Sequence, residues 1–229
     1  MSARCLTVSF VVFAALRIWT AAPACTDELS AQAHRNPATP DSARRIQSME
    51  PRSGPPGTEI SIYTENLPFQ GRVVLGMGAV GSGFEALGEA QQQEWGEVGG
   101  TLTVPDYATW DRALVVIIFN GNFVPTGLSD PFHVTNELGL IRRTAEVTDE
   151  GEDCLMVRDA DGYFYTLSLD SAPPPTGPDG APILRAPHAG DAVVVEGRFV
   201  GENGGCSQAE TITVTRLIVE TADRGGSRR

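Results

Sequence analysis

The chain has no lysine, only three histidines and four cysteines, and no apolar run long enough to cross a membrane as a helix. Its cations are therefore all arginines, and 17 of them face 29 carboxylates, which gives a formal net charge of −12 at pH 7. A surface this acidic repels phosphate backbones, so we expect no nucleic-acid partner. It equally opposes attachment to anionic lipid by charge alone.

Residues for chemistry are also scarce. The three histidines, His34, His133 and His188, do not stand in zinc-ligand spacing with cysteine or with one another. Nucleophile-elbow, Walker and dinucleotide-binding motifs are missing. The segment 159–162, Asp-Ala-Asp-Gly, begins like a calcium loop but lacks the later oxygen ligands, and it predicts a hairpin turn. We expect no catalytic residues, no metal and no cofactor.

The N-terminus predicts export. Arg4 supplies a positive start, an apolar run follows from Cys5 to Leu16, and Ala22-Pro23-Ala24 forms a small-x-small cleavage site. We therefore assign residues 1–24 to a signal peptide, because the apolar run is too short to span a bilayer stably. Arginine as the sole cation, with abundant Ala, Gly and Pro, is typical of exported proteins of bacteria with GC-rich genomes.

Three cysteines would remain after cleavage. Cys154 and Cys206 fall in one predicted domain and form a natural disulfide pair, which leaves Cys25 alone. Cys25 is the first residue after the predicted cleavage, where bacterial lipoproteins carry their acylated cysteine, although Ala22 stands where their motif usually has Leu. We expect lipidation of Cys25 and an outer-membrane or surface location. The alternative is ordinary cleavage, a free thiol and a periplasmic or secreted soluble protein.

Both ends of the mature chain lack a hydrophobic period. Residues 25–45 are polar and rich in Pro, Ala and Ser, so they cannot bury enough apolar area to offset their ordering entropy. They predict a flexible tether, and residues 222–229 predict a disordered tail.

Residues 46–136 predict a β-sandwich. The turn Pro-Arg-Ser-Gly-Pro-Pro-Gly-Thr at 51–58 leads into a strand at 59–64 in which Ile60 and Ile62 share one face. Further strands are predicted at 46–49, 72–75, 101–104, 113–120 and 130–135.

The same stretch resembles a known family. The opening turn and the closing segment 130–135, Asp-Pro-Phe-His-Val-Thr, are similar to the corresponding motifs of IPT/TIG domains. That resemblance implies an immunoglobulin-like sandwich that binds or spaces and rarely catalyses.

Residues 137–221 predict a small five-stranded barrel, with strands at 141–148, 154–158, 163–169, 191–200 and 210–219. Alternation places Tyr163, Tyr165, Leu167 and Leu169 on one face, which we interpret as core. A second core face groups three further side chains: Val193, Val195 and Phe199.

The spacing of cysteine, glycine, aromatic and β-branched residues in this half is similar to that of small OB-like domains of bacterial exported proteins and lipoproteins. The matching positions are Cys154, Gly162, Tyr165, Leu167, Gly190, Asp191, Val193, Val195, Gly197, Cys206, Ile212 and Val214. The resemblance implies an OB-like barrel with one disulfide, here Cys154–Cys206, and says nothing about activity.

Binding hints come from aromatic residues and from one long connection. Trp95, Trp110 and Phe164 form the candidate binding surface, since accessible aromatic rings stack on sugars or anchor protein partners. The segment 76–100 is Gly-rich and irregular, and we predict a loop there. The plain alternatives are aromatic side chains folded over a sheet edge and a tolerated surface insertion.

The sequence therefore predicts an all-β protein, an immunoglobulin-like β-sandwich followed by a five-stranded OB-like barrel. Its expected function is that of a non-catalytic envelope or surface module that binds a protein or glycan partner and meets the membrane only through a lipid on Cys25. Paired carboxylates are recognised by their spatial separation, so a weak or accessory secreted hydrolase is the alternative. A spacer without any binding surface is the third.

Overall fold

The computed structural model describes residues 44–68, 71–151, 154–170, 172–201 and 209–220, and within these ranges the regular structure is β-strand apart from one 3₁₀ turn at Glu94–Gly96. The strands of the N-terminal half are β1 (Arg44–Arg45), β2 (Ser48–Glu50), β3 (Ser53–Gly54), β4 (Glu59–Thr64), β5 (Arg72–Gly78), β6 (Phe84–Gln91), β7 (Val98–Thr103), β8 (Ala113–Phe119), β9 (Pro125–Leu128) and β10 (Phe132–Val134). Those of the C-terminal half are β11 (Ile141–Thr148), β12 (Met156–Asp159), β13 (Phe164–Ser168), β14 (Ala192–Gly201) and β15 (Glu210–Glu220).

The first ten strands form an immunoglobulin-like sandwich of two sheets. The small sheet has the order β2-β4-β7, and the large sheet has the order β1-β9-β8-β10-β3, with β5 added to β8 and β6 added to β5. The first strands are shared between the sheets, because β1 pairs in parallel with β9 and β2 pairs antiparallel with β4. Inward-facing side chains of the two sheets form one core, which includes Ile60, Ile62, Leu75, Met77, Leu102, Leu114, Val116 and Ile118.

The last five strands close into a barrel of order β11-β12-β13-β15-β14. β11 pairs with both β12 and β14, and β13 pairs in parallel with β15. This is the OB-like arrangement that the sequence predicted. Tyr163, Tyr165 and Leu167 are buried as expected, but Leu169 lies past the end of β13 and is 37% exposed, so its assignment to the core was wrong.

β8 joins the sandwich to the barrel because both of its faces are covered. Leu114, Val116 and Ile118 face the sandwich core, while Ala113 and Val115 pack in the same cluster as the barrel interior. A strand covered on both faces has no polar side to show, which explains why 113–119 reads as a continuous apolar run. The two domains therefore share a continuous hydrophobic interface.

The predicted loop at 76–100 is wrong. β5 continues to Gly78, a tight turn leads into β6, and β7 begins at Val98. The sequence did not predict β6, because this strand lies at the sheet edge with most of its side chains exposed and therefore shows no alternation of apolar and polar residues. Gly76 is required inside β5, since a Cβ there would lie 2.8 Å from the carbonyl oxygen of Glu85.

Several predictions fall on residues outside the described ranges, among them the signal peptide, most of the tether, the tail, Cys25 and Cys206. Cys154 lies half-buried just before β12. Its pairing with Cys206 stays a prediction. A search of the described residues finds no helix with the length and apolarity of a membrane span.

The shared interface predicts cooperative unfolding. Val115→Asp places a carboxylate at the contact of the two domains, so we expect it to lower stability by about 3 kcal/mol or more and the calorimetric midpoint by roughly 6–12 °C. The wild-type chain should unfold in one calorimetric transition, and the variant in two. Val124→Asp is the control, because Val124 is 50% exposed. A single unshifted transition in the Val115 variant would contradict a shared interface.

Candidate functional site

The most unusual chemistry in the described residues is a buried polar network at the junction of the two domains. It joins the end of the sandwich to one end of the barrel through a chain of hydrogen bonds and ion pairs. We call this set the interdomain network: Arg52, His133, Arg143, Asp159, Tyr165 and Glu210.

His133 of β10 is the centre of the network and is fully buried. Arg143 donates from Nη2 to its Nδ1 at 3.2 Å, so the ring proton lies on Nε2, which donates to Glu210 Oε2 at 2.7 Å. The ring also stacks on Phe199, with centroids 4.0 Å apart. Burial lowers the pKa of His133, against the opposing charge of Glu210, and the guanidinium groups of Arg143 and Arg52 lower it further. His133 is therefore a neutral imidazole with a fixed tautomer.

Arg143 crosses from the barrel to the sandwich, and only 1% of its surface is exposed. Its Nη1 donates to the carbonyl oxygens of Trp110, at 3.0 Å, and of Arg142, at 2.6 Å. Its Nε lies 3.4 Å from the hydroxyl of Tyr165. A guanidinium has five donors in a planar fork, and this one distributes them over three partner types, which a lysine could not do.

Glu210, at the start of β15, accepts from both sandwich residues of the network. Its Oε2 receives the His133 proton, and its Oε1 pairs with Arg52 Nη2. Burial alone would raise the pKa of Glu210, but His133 and Arg52 outweigh it, and the net direction is downward. The carboxylate stays ionised between two donors.

Asp159 ends the network inside the barrel. Its Oδ1 accepts from the backbone N–H groups of Asp161 at 3.0 Å and Tyr163 at 2.9 Å, and its Oδ2 accepts from the Tyr165 hydroxyl at 3.2 Å. Gly162 has a φ of +88° and donates to the Asp159 carbonyl, so 159–162 is the predicted hairpin turn. Burial raises the pKa of Asp159, against the Tyr163 hydrogen bond and the charge of Arg143.

The network contains residue types that are common in catalytic centres, namely His, Asp, Glu, Arg and Tyr. Its central side chains are nevertheless buried, as in a structural site. His133 and Tyr165 are 0% exposed, and each charged group already has opposite charge or hydrogen bonds around it. A general base must reach the proton that it abstracts, and His133 and Tyr165 have no exposed surface while the domains are docked. The arrangement therefore holds the interface together. In the described part of the chain, no group of three or more His, Cys, Asp or Glu side chains has the geometry of a metal site.

Two further contacts hold the domains at the rim. Arg112 makes a bidentate ion pair with Asp161, with distances of 2.9 Å from Nε to Oδ2 and 2.7 Å from Nη2 to Oδ1. The linker is a tight turn in which the Asn136 side chain accepts from the N–H groups of Leu138 and Leu140. The short hydrogen-bonded linker and the Arg112–Asp161 ion pair both restrict rotation between the domains.

The three aromatic residues of the predicted binding surface lie in different places. Trp95 is 83% exposed in the 3₁₀ turn between β6 and β7, with a φ of +66°. Trp110 is half-buried at the domain junction, where its ring lies 6.0 Å from the Arg142 guanidinium. Phe164 is half-buried on β13, with Arg158 over its ring at 6.0 Å. In the described part of the chain no ring contact joins them.

An open depression of about 450 Å³ lies on the outer face of β11 and β12. Glu146, Arg158 and Asp159 contribute to its lining. Because both carboxylate oxygens of Asp159 are bonded within the turn and the network, Asp159 is not free to act with Glu146 as a catalytic pair.

Sequence reasoning missed the network. His133 stood as an isolated histidine, and Arg143, Asp159 and Glu210 were not selected. One signal was available: along β11 the inward positions are Ile141, Arg143, Ala145 and Val147, so an arginine occupies a core position. A buried charge requires partners, and this position could have prompted a search for them.

The chain matches no protein-family model, and a search of curated proteins finds no match.

The lowered pKa of His133 predicts a pH dependence of stability. In the unfolded chain His133 titrates near its ordinary pKa of 6.5, whereas the folded pKa is lower, so the unfolded state binds more protons in between. Stability should thus be complete above pH 6.5 and fall as the pH drops below it, by at most about 1.4 kcal/mol per pH unit. Urea unfolding at stepped pH measures this.

His133→Gln keeps an acceptor for Arg143 and a donor for Glu210 but does not titrate, so the slope between pH 6.5 and 5 should shrink. His188→Gln is the matched control, since His188 lies exposed in a loop, and it should retain the wild-type slope. Equal slopes in the wild type and in His133→Gln would contradict the assignment.

The inner and outer ion pairs should differ in energetic weight. Glu210→Ala leaves His133 Nε2–H and Arg52 without their acceptor, which we expect to cost about 3 kcal/mol or more. Asp161→Ala removes the half-buried partner of Arg112, whose own side chain is 43% exposed to solvent, and should cost about 1 kcal/mol or less. Urea midpoints at pH 7 give both values. Similar small losses in the two variants would show that the buried network does not hold the interface.

Proposed function

We propose that this protein is a non-catalytic module of the bacterial cell envelope, exported and anchored by a lipid on Cys25, that presents a rigid binding surface to a protein or glycan partner. The observation that carries this proposal is the sealed interface. The ionisable groups that would suit catalysis hold the two domains together instead, and the continuous core at β8 makes the domains one body.

A rigid pair of domains suits a binding or spacing role. The hydrogen-bonded turn at Asn136, the Arg112–Asp161 pair and the interdomain network all restrict hinge motion. An enzyme that closes over a substrate needs such motion, whereas a display module gains affinity from being pre-organised.

The membrane anchor is proposed from the leader and the cysteine count. With Cys154 and Cys206 as a disulfide of the barrel, Cys25 is the odd cysteine at the start of the mature chain. Acylation there would explain the odd thiol, and residues 26–43 would hold the folded domains away from the membrane. The unmodified soluble form, periplasmic or secreted, is the alternative.

The family proposal rests on sequence motifs in the two halves of the chain. The turn at 51–58 and the closing strand at 130–135 support an IPT/TIG-type domain, and the spacing in the C-terminal half supports a disulfide-containing OB-like domain of exported bacterial proteins. Domains of these kinds serve as binding or spacing units within larger proteins of unrelated function.

The anchor predicts a specific mass. When the chain is expressed with its own leader in a Gram-negative host and extracted from membranes, the intact mass should equal the chain from Cys25 plus a diacylglyceryl and an acyl group. Cys25→Ser is the control and should appear in the soluble fraction without the added mass. An unmodified wild-type chain in the soluble fraction would overturn the anchor and move the partner search to soluble ligands.

A further inference from the structure

The interdomain network contains one group whose hydrogen-bonding role reverses when it takes up a proton. Neutral His133 accepts at Nδ1 from Arg143 Nη2, 3.2 Å away, and donates from Nε2 to Glu210. In the imidazolium form both ring nitrogens are donors, and a guanidinium has no acceptor to offer. Protonation of His133 therefore removes its hydrogen bond with Arg143 and places two cations in contact.

The hydrogen bond that protonation removes crosses the domain junction. His133 lies on β10 of the sandwich, and Arg143 lies on β11 of the barrel. His133 is completely buried and Arg143 is 1% exposed, so bulk water neither screens the repulsion between the two cations nor supplies an acceptor. Separation of the domains relieves both problems, because water then reaches the two side chains.

The network has no spare acceptor for an additional proton. Glu210 already accepts from His133 at Oε2 and from Arg52 at Oε1. Asp159 already accepts from two backbone N–H groups and from the hydroxyl of Tyr165. Arg52 Nε is buried and finds no acceptor among the described residues. A donor added at His133 would thus be a buried unsatisfied group as well as a buried charge, and each of these is costly.

The charges around His133 balance only while its ring is neutral. The charged members of the network are two guanidinium groups and two carboxylates, so a proton on His133 leaves one positive charge in excess. At the positions paired with β10, the neighbouring strands β3 and β8 carry no titratable side chain. The side chains that face the ring, or lie directly behind those that do, are Arg52, Asp130, Arg143, Asp159, Tyr165, Phe199 and Glu210.

The pKa shifts of the network give the direction of the effect. Burial lowers the pKa of His133 in the docked form, whereas a ring in contact with water titrates near 6.5, so the separated form binds the proton more tightly. Separation is therefore favoured as the pH falls below 6.5, by at most about tenfold per pH unit. The lowered pKa of Glu210 acts in the same direction only below its ordinary value of 4.5, and the raised pKa of Asp159 acts in the opposite direction. Within the network, separation between pH 6.5 and 5 thus depends on His133.

We propose that the interdomain network is an acid-sensitive switch, in which protonation of His133 releases the barrel from the sandwich while both domains stay folded. Each domain stays folded because the sandwich core and the barrel interior are separate clusters. At neutral pH the chain is one rigid body, and in acid it becomes two domains joined by the turn at Asn136. This inference goes beyond the binding role and beyond the loss of overall stability predicted above, because it states which contact opens first. It depends neither on the lipid at Cys25 nor on a partner.

Amide hydrogen exchange distinguishes release of the domains from unfolding. The Arg142 N–H donates to the Trp110 carbonyl at 2.9 Å across the junction, so its exchange reports separation of the domains. The Val147 N–H is bonded inside the barrel and the Val104 N–H inside the sandwich, so their exchange reports unfolding of each domain. The experiment measures these three protection factors by NMR at pH 7.5 and pH 5, in the chain that begins at residue 25 and carries Cys25→Ser.

Two results are expected together. At pH 5 the Arg142 amide should be protected about tenfold less, or weaker still, than those of Val147 and Val104, because release of the domains requires less free energy than unfolding of either one. The Arg142 protection factor should also fall by up to about thirtyfold between pH 7.5 and pH 5. Equal protection of the three amides would show that the junction opens only when the chain unfolds, and it would overturn the proposal.

A variant at His133 tests the origin of the pH dependence. His133→Gln does not titrate, so the Arg142 protection factor should be the same at both pH values. His188→Gln is the matched control, because His188 lies exposed in a loop, and it should show the wild-type fall. The proposal is wrong if the fall persists in His133→Gln, or if Arg142 in the wild type is weakly protected to the same extent at both pH values.

Tryptophan fluorescence gives a second test that needs no change at His133. In the chain from residue 25, Trp95→Phe leaves Trp110 as the one tryptophan, because Trp19 lies in the leader. Trp110 is half-buried at the junction, so its emission should shift to longer wavelength between pH 7.5 and pH 5 while the far-ultraviolet circular dichroism stays constant. Unchanged emission, or a shift that coincides with loss of the circular dichroism signal, would contradict release of folded domains. Either failure leaves the proposed envelope module unaffected.

Discussion

The hydrogen bond from His133 to Glu210 is the contact on which the arrangement of the two domains depends. A buried carboxylate is tolerated only when its partners are in place, and here both partners, His133 and Arg52, belong to the sandwich while Glu210 belongs to the barrel. Arg143 makes the reverse connection, from the barrel to His133 and to the Trp110 carbonyl. Any rotation of one domain would separate several of these pairs at once, so the charges specify a single relative orientation more than they add stability.

β8 supports that arrangement through packing. Its inner side chains belong to the sandwich core, and its outer side chains divide the outer face of the sheet between two uses: Ala113 and Val115 pack against the barrel, and Phe119 lies under the exposed Phe84. One strand therefore connects the domain interface to the stacked rings of Phe84 and Phe119 on the outer face of the large sheet. Since β8 packs on both faces, the large sheet keeps a fixed position relative to the barrel.

The sequence predicted those parts of the fold whose signal is local. In the strands at 59–64 and 141–148, buried and more exposed side chains alternate because one face lies on the core and the other faces solvent. The structure has both strands with the predicted bounds. β6 was missed because an edge strand with exposed faces has no alternation, and a loop was predicted in its place. The network was missed for a different reason: it unites residues up to 158 positions apart, Arg52 and Glu210, and no spacing along the chain marks such a contact.

The ion pairs of the structure bear on two features of the composition, the absence of lysine and the excess of carboxylates. Many arginines of the described residues already face a carboxylate, namely Arg45, Arg52, Arg72, Arg112, Arg142, Arg185 and Arg216. Among the described residues, exposed carboxylates such as Glu85 form no ion pair with an arginine, and such groups account for the net negative charge. The electrostatic potential at the surface is therefore negative, over a distance set by the ionic strength. At the domain junction the charged groups Arg52 and Glu210 are paired because they are partly or largely buried, whereas Glu85 can stay unpaired among the described residues because solvent screens its charge.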